Sequence, residues 1–355
     1  MTRVTPMTAI CTLGWDIGGV NTKISRVADA QLVGTRVRPF EVQRDPASLV
    51  ALLRALAADV GATGAEHQAV TMTAELSQMF RTKRDGVAFV LDAVATAFPN
   101  ADTHVYTTDG RFVASNQARR MPLSVAAANW VATAAIVGRT VDTAVLVDIG
   151  TTTTDVIPVV HGQVVAKGRT DPARLASGEL LYLGAVRTPV EAIVTAVPVG
   201  DEWVGVSAEG FALAGDVHVW RGTLSPDMYS MTPPDGRPTT RDYAGERLAR
   251  VICADRTMLD DDAIDAIADH IAESQIARTA TAIRRVCERH PAITTAVTAG
   301  IGAPLAASAA ARAGLTVRSL AESLGVAAAA AAPSAAVALL LAEHLRGAPA
   351  VRTHT

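Results

Sequence analysis

The chain has 355 residues, of which 49% are hydrophobic, 4% aromatic and 19% charged; 32 Lys+Arg against 35 Asp+Glu leave a formal net charge of −3. This length exceeds one comfortable core and suits two units of ordinary domain size. The apolar content excludes a disordered chain, the near-neutral charge leaves no footprint for nucleic acid or anionic membranes, and the few aromatics offer no stacking platform for single strands. Lys23, Lys83 and Lys167 are the only lysines. Compositional bias explains the many arginines, but the two cations are not interchangeable where a compact ammonium is needed, so these three positions merit inspection.

Cys11, Cys253 and Cys287 lie far apart without a CxxC, and the eight histidines form no HxxxH or HExxH pattern. Neither a disulfide framework nor a zinc site is expected, and the reading is a reduced, cytoplasmic protein. The first ten residues are polar with Arg3 as their one charge, unlike a signal peptide. The stretch 326–342 is almost all Ala, Val and Leu but is interrupted by Pro333 and Ser334 and dominated by alanine. It reads as a buried helix beginning near Pro333 rather than a membrane span.

In chain order, β-branched runs alternate with amphipathic stretches, the pattern of an α/β architecture. Strands are predicted at 13–17, 22–27 and 32–39, a helix at 47–60, a buried strand at 69–72, a helix at 85–98, a strand at 104–107 and a helix at 123–137. The pattern then restarts with a strand at 143–149 and a hairpin of 154–160 and 163–167 around His161-Gly162. Asp16-Ile17-Gly18 and Asp148-Ile149-Gly150 thus open two meanders roughly 130 residues apart, which suggests an internal duplication. Residues 188–241 are rich in turn formers and resemble a cap-like insertion. Helices follow at 241–254 and 260–289, the second with an acidic start, then a strand at 294–298 running into Gly300-Ile301-Gly302 and closing helices.

Three clusters carry chemistry. In Asp16-Ile17-Gly18-Gly19-Val20-Asn21-Thr22-Lys23 a strand ends in Asp, glycines allow backbone N–H groups to approach anionic oxygens, and Asn, Thr and Lys add donors and charge. Asp16 is suited to hold Mg²⁺ through water. A plain hairpin using glycine for positive φ fits the same residues. In Asp148-Ile149-Gly150-Thr151-Thr152-Thr153-Thr154-Asp155 four consecutive threonines follow the same theme; an edge strand of high β propensity is the bland reading, and facing phosphate loops the functional one. Gly300 and Gly302 again follow a buried strand and precede a helix, a turn that admits a flat ring or a phosphate.

Together these motifs resemble the phosphate and adenosine motifs of the actin-like ATPase superfamily, and their wording resembles its hydantoinase/oxoprolinase branch. More narrowly, Asp16–Lys23, Thr71-Met72-Thr73-Ala74-Glu75-Leu76, Lys83-Arg84-Asp85-Gly86, Ala126-Ala127-Ala128-Asn129-Trp130, Asp148–Asp155 and Arg247-Leu248-Ala249-Arg250 resemble one small family linked to tetrahydromethanopterin-dependent C1 metabolism. The resemblance spans 13–341. It implies a two-lobed actin-like (ribonuclease H-like) α/β fold with the active-site cleft between lobes. The first lobe is 1–138, completed by a C-terminal helix at 326–355, and the second is 139–325 with the insertion at about 188–241.

By activity, the family includes a methanofuran-biosynthesis transferase that joins a γ-glutamyltyramine phenol to an aminomethylfuran-methyl diphosphate and releases diphosphate. The implied diphosphate-binding residues are Gly18, Gly19, Asn21, Thr22, Lys23, Lys83, Gly150, Thr151, Thr152, Thr153, Gly300 and Gly302. Mg²⁺ on Asp16 and Asp148 is the implied cofactor, and ATP is left open. The partners are small molecules, with neither nucleic acid nor membrane involved. The phenol needs a base. Glu75 is the first candidate, with Asp148 and Asp16 competing, and Glu75 also fits a Thr73-x-Glu75 capping arrangement at a helix start. Lys83-Arg84 and Arg119-Arg120 fit substrate contacts or a solvated surface. Where the family shows Thr-Ala-Asp-Gly, this chain has Pro233-Pro234-Asp235-Gly236. An ATP-dependent kinase or an amide-ring hydrolase of the same superfamily, and a non-catalytic nucleotide-binding scaffold, are the alternatives.

Overall fold

The computed structural model describes residues 10–62 and 67–347, so the segment read for a signal peptide falls almost wholly outside the described residues, as does the end of the helix expected at 326–355. The chain divides into two compact units. One comprises Met1–Thr140, Gly162–Val164 and Ser323–Thr355, the other Val141–His161 and Val165–Glu322.

In the first unit β1 (Cys11–Ile17), β2 (Asn21–Ala28), β3 (Gln31–Pro39), β4 (His67–Met72), β5 (Asp102–Tyr106) and β6 (Phe112–Ala114) form one sheet in the order β3-β2-β1-β4-β5-β6. β1 is antiparallel to β2 and parallel to β4, which is parallel to β5. The period-2 alternation of β1 decides what each face does. Leu13, Trp15 and Ile17 enter an apolar core with Leu49, Leu53 and Leu56 of the helix Leu49–Asp59 and Val87, Val90 and Leu91 of the helix Lys83–Ala97. Thr12, Gly14 and Asp16 share the opposite face.

The helix Ala332–Leu345 lies across that opposite face. Thr12 Oγ1 donates to the Ala338 carbonyl at 2.8 Å, the Ser25 and Ser334 hydroxyls meet at 2.9 Å, and a Cβ on Gly14 would stand 2.0 Å from the Ser334 carbonyl oxygen. The helix is rich in alanine because it runs this close to the strands, and Pro333 sits in its first turn, as the sequence predicts. Among the described residues no helix is long and apolar enough to cross a membrane.

One prediction fails instructively. The expected helix at 123–137 is broken: a short helix Pro122–Val125 ends, Ala126 bridges Met72 at the end of β4, and a new helix starts at Asn129. Ala127 takes a φ of 49° and donates its N–H to the Met72 carbonyl at 3.1 Å. Pairing with β4 overrides the helix propensity of three alanines.

The second unit repeats the scheme. β7 (Ala144–Ile149) is antiparallel to β8 (Thr154–Val160), which pairs antiparallel with Leu180–Leu181; on its other side β7 is parallel to Thr295–Ala299, itself parallel to Thr316–Ser319. The antiparallel and parallel neighbours of β1 therefore recur around β7. This is the actin-like, ribonuclease H-like fold that the motifs imply, present in each unit.

The turn-rich segment contains the hairpin Ala196–Val199/Glu202–Gly205 and the helix Ala214–Trp220. It shares a core (Val217, Trp220, Leu248, Ile264, Ile267) with the helices Arg241–Arg250 and Asp261–Cys287. Asp260 caps the latter, accepting from the Ala263 N–H at 2.9 Å. Inside this core Arg247 Nε donates to Asp216 Oδ1 at 2.7 Å with both side chains enclosed, while Arg247 Nη1 reaches Asp235 Oδ1 at 3.1 Å. Burial pushes the Asp216 carboxyl up to about 6, against the downward pull of Arg247. The Arg247 motif and the Asp235-Gly236 turn are thus two halves of one ion cluster. Replacing the family's Thr-Ala by Pro233-Pro234 leaves its aspartate in place.

Removing one partner of such a pair strands the other charge. Arg247→Leu is expected to cost about 3–5 kcal/mol in urea unfolding, and Asp216→Asn in the same chain to restore most of that loss.

Candidate active site

The two Asp-Ile-Gly turns have the same geometry. Gly18 N–H donates to the Asn21 carbonyl at 3.0 Å and Gly150 N–H to the Thr153 carbonyl at 2.9 Å, so Ile17 pairs with Thr22 and Ile149 with Thr154. Neither turn uses glycine for a positive φ. Gly18 is there for space, because a Cβ would lie 2.6 Å from the Asn21 carbonyl oxygen. At Gly19 a Cβ would meet no atom within 4 Å. The fold therefore asks for no glycine at position 19, whereas close approach of an anionic ligand to the backbone does.

In the first unit two lysines are each held by an enclosed carboxylate. Lys23 and Asp16 are register partners, with Nζ 2.9 Å from Oδ2, and the Asp16 side chain is 4% exposed. Lys83 Nζ lies 3.7 Å from Oε1 of Glu75, whose side chain is fully enclosed. The local sequence builds this second pair. Thr82 and Asp85 form a capping box that starts the helix at Lys83, and Gly86 lets its first turn close on Glu75, since a Cβ there would be 2.5 Å from the Glu75 Cα. Thr73 precedes a short helical turn, Ala74–Leu76, with Glu75 inside it as the helix-start reading expects, but the Thr73 side chain makes no cap. Both ammonium groups keep about a quarter of their side-chain surface open.

Asp16 Oδ1 is buried and accepts no hydrogen bond among the described residues; the same holds for the hydroxyl of Thr71, the β4 register partner of Asp16. A buried, unsatisfied carboxylate oxygen beside a buried hydroxyl fits a hydrated divalent cation, which takes hard oxygen ligands and retains its waters. Asn21 and Thr22 are buried at the start of β2.

In the second unit Thr151, Thr152 and Thr153 are half-buried and Thr154 is buried, its hydroxyl donating to the Leu183 carbonyl at 2.6 Å. The turn is braced from behind by N–H bonds from Ala185 to Gly150 and from Val186 and Arg187 to Thr151. Asp148 is half-buried, whereas Asp16 and Glu75 are enclosed. Opposite it on β8 stands Asp155, which forms a short ion pair with the buried Arg174. Gly300 adopts a φ of +81°, and a Cβ there would be 2.4 Å from Asp148 Oδ1; a Cβ on Gly302 would be 2.5 Å from Ile149 Cγ2. These two glycines let their turn pack on the Asp148-Ile149 strand end. Beside them Ile301, Gly302, Pro304 and Leu305, with His218 and Arg221, line a small pocket of about 80 Å³.

The remaining basic residues behave differently. Lys167 is exposed, Arg119 pairs with Asp92 at 2.7 Å, and Arg84 and Arg120 are exposed. Arg174 and Gly184 are absent from the sequence motifs, and Thr71 enters them only as the first residue of Thr71–Leu76, without a role. Gly184, whose Cβ would lie 2.5 Å from the Thr151 carbonyl oxygen, shapes the threonine turn from 30 residues away, which no local pattern records. Thr71 had a signal, a hydroxyl on the strand next to Asp16.

Comparison with known proteins decides the family: residues 66–344 match the hydantoinase/oxoprolinase family model. The chain belongs to the hydantoinase/oxoprolinase family. Within reach of it stands the (4-{4-[2-(gamma-L-glutamylamino)ethyl]phenoxymethyl}furan-2-yl)methanamine synthase of Methanocaldococcus jannaschii, 36% identical over 255 residues, covering 71% of this chain and 74% of the relative. The synthase of the same name from Methanococcus vannielii is 37% identical over 118 residues, 33% of this chain and 53% of that one. These relatives are synthases, and this hydantoinase/oxoprolinase member is an enzyme. A nucleotide-free acetone carboxylase structure superposes with a TM-score of 0.54 at 13% identity, covering 94% of this chain and 70% of that one, a likeness of fold.

The two turn glycines separate fold from ligand. Gly19→Ala is expected to melt within about 0.5 kcal/mol of the parent while weakening diphosphate binding, and Gly18→Ala to be destabilised, as differential scanning calorimetry with and without diphosphate would report.

Proposed function

We propose that this chain forms an aryl ether between a γ-glutamyltyramine-type phenol and an aminomethylfuran-methyl diphosphate, releasing diphosphate, in the synthesis of a methanofuran-type C1 carrier. The observation that carries the reading is the 36% identity over 255 residues to a synthase whose printed name describes a phenoxymethyl-furan. The chemistry suits the residues. The furylmethyl carbon–oxygen bond breaks with its electron pair leaving on diphosphate, and the ring oxygen stabilises the positive charge left behind. In the first unit Lys23, Lys83 and the backbone at Gly19 are the donors suited to the departing anion, and the hydroxyls of Thr151, Thr152 and Thr153 are anion donors of the second unit's own turn.

Exposure sorts the three carboxylates in this reading. Asp148, half-buried where Asp16 and Glu75 are enclosed, accepts the phenol proton as the new carbon–oxygen bond forms; a carboxylate suffices because the phenol oxygen becomes strongly acidic as it donates its lone pair. Glu75, enclosed behind Lys83, acts as a positioning residue for that ammonium. Asp16 holds Lys23 and, through its second oxygen, would hold Mg²⁺, whose contribution when bound is charge neutralisation of the diphosphate.

A second reading has one observation in its favour. The small pocket beside Gly302 sets the apolar Ile301, Pro304 and Leu305 against His218 and Arg221, a lining that would suit part of a flat ring in an ATP-dependent kinase or hydrolase. Incubation with Mg²⁺, a furylmethyl diphosphate and γ-glutamyltyramine separates the two. The expected outcome is the ether mass with one diphosphate released per ether and no ATP requirement. Phosphate release from ATP without dependence on the furan diphosphate would overturn the reading. Glu75→Gln is expected to raise the KM for the diphosphate more than it lowers kcat, and to leave the pH profile unmoved.

A further inference from the structure

The first unit carries a second cluster of ligating atoms on the polar face of its sheet, at the end of β4 away from Thr71. His67 opens β4 and is the register partner of Asp102, which opens β5; His104 follows two residues later, so β-strand alternation brings all three side chains to one face. His104 Nε2 is 2.9 Å and His67 Nδ1 3.8 Å from Asp102 Oδ2, and the three ligand atoms lie within 4.8 Å of one another. His67 Nδ1 and His104 Nε2 are buried atoms, and the polar group both face is the Asp102 carboxylate. Two imidazole nitrogens thus converge on one carboxylate oxygen, so that three ligand atoms of the type a transition metal takes face one point.

We propose that His67, Asp102 and His104 form a binding site for a divalent transition-metal cation that clips the start of β4 to the start of β5. Two imidazoles and a carboxylate are a Zn²⁺-type donor set, with metal bonds of about 2.0–2.2 Å that draw the three atoms inward by small side-chain rotations. The Asp102 side chain is 64% exposed, so the ion has an entry path and water completes its shell. The rings of Phe112 and His344 stand at 6.3 and 6.5 Å from that of His104 and pack against it edge to face. The site lies about 13 Å along β4 from Thr71, at about 3.3 Å per residue, and so is separate from the Asp16 oxygen discussed above. Its ligands come from two strands 35 residues apart in sequence, which is why no HxxxH spacing marks it.

The test titrates Zn²⁺ into the chelator-treated full chain by isothermal calorimetry, with the Co²⁺ form read by its visible spectrum. One ion per chain is expected, a thermal midpoint that rises with Zn²⁺, and affinity at least tenfold weaker in both His67→Asn and His104→Gln. The Co²⁺ spectrum of the unaltered chain supplies the answer where a variant folds poorly: tetrahedral bands without thiolate charge transfer are expected. Absence of binding, affinity unchanged in both variants, or a thiolate band placing the ion on a cysteine would overturn the proposal.

Discussion

The hairpin register set by one backbone hydrogen bond governs both halves of this protein. A glycine N–H returns to the carbonyl three residues on, at Gly18 and again at Gly150, and so fixes which residue stands across from the strand-ending aspartate. In the first unit that residue is Lys23; in the second it is Asp155. The consequences diverge. Asp16 is neutralised directly by its partner and is enclosed, whereas Asp155 takes Arg174 as its counter-charge and Asp148 is half-buried. Slipping either register by one residue would reverse every side chain across the sheet and separate the charges from their partners.

Around these turns the chain repeatedly removes side chains to bring backbones together. Gly14 admits the C-terminal helix onto β1, Gly86 seats the Lys83 helix against Glu75, and Gly300 places its turn on Asp148. The last two contacts fall on the carboxylate residues Glu75 and Asp148. Rigid, close-packed neighbours hold the lysines and carboxylates in fixed positions, which is what an electrostatically preorganised anion site requires. Gly19 stands apart, being the one glycine of the first turn that contacts nothing.

Much of this was legible in the sequence. β1, β2, β3, β7 and β8 follow from short β-branched runs, and the doubled Asp-Ile-Gly motif announces the repeated fold. The break at Ala126–Ala128 was not legible, because three alanines favour helix until a neighbouring strand end offers hydrogen bonds. The Glu75–Lys83 pair was visible as two motifs but not as one contact, since only the turn between them and Gly86 bring them together. Arg174 and the two-strand histidine cluster needed tertiary structure, their partners being scattered along the chain. The lysine count was informative in an unequal way: Lys23 and Lys83 sit on enclosed carboxylates, while Lys167 is exposed.

The central claim is that the Asp16–Lys23 hairpin is the anion anchor. It is tested most directly by titrating inorganic diphosphate into the parent chain and into Lys23→Gln and Lys167→Gln, with folding checked by circular dichroism. The account predicts that Lys23→Gln loses at least tenfold in affinity, about 1.4 kcal/mol, while Lys167→Gln binds as the parent does. Equal affinity in the parent and Lys23→Gln, or a loss confined to Lys167→Gln, would contradict it.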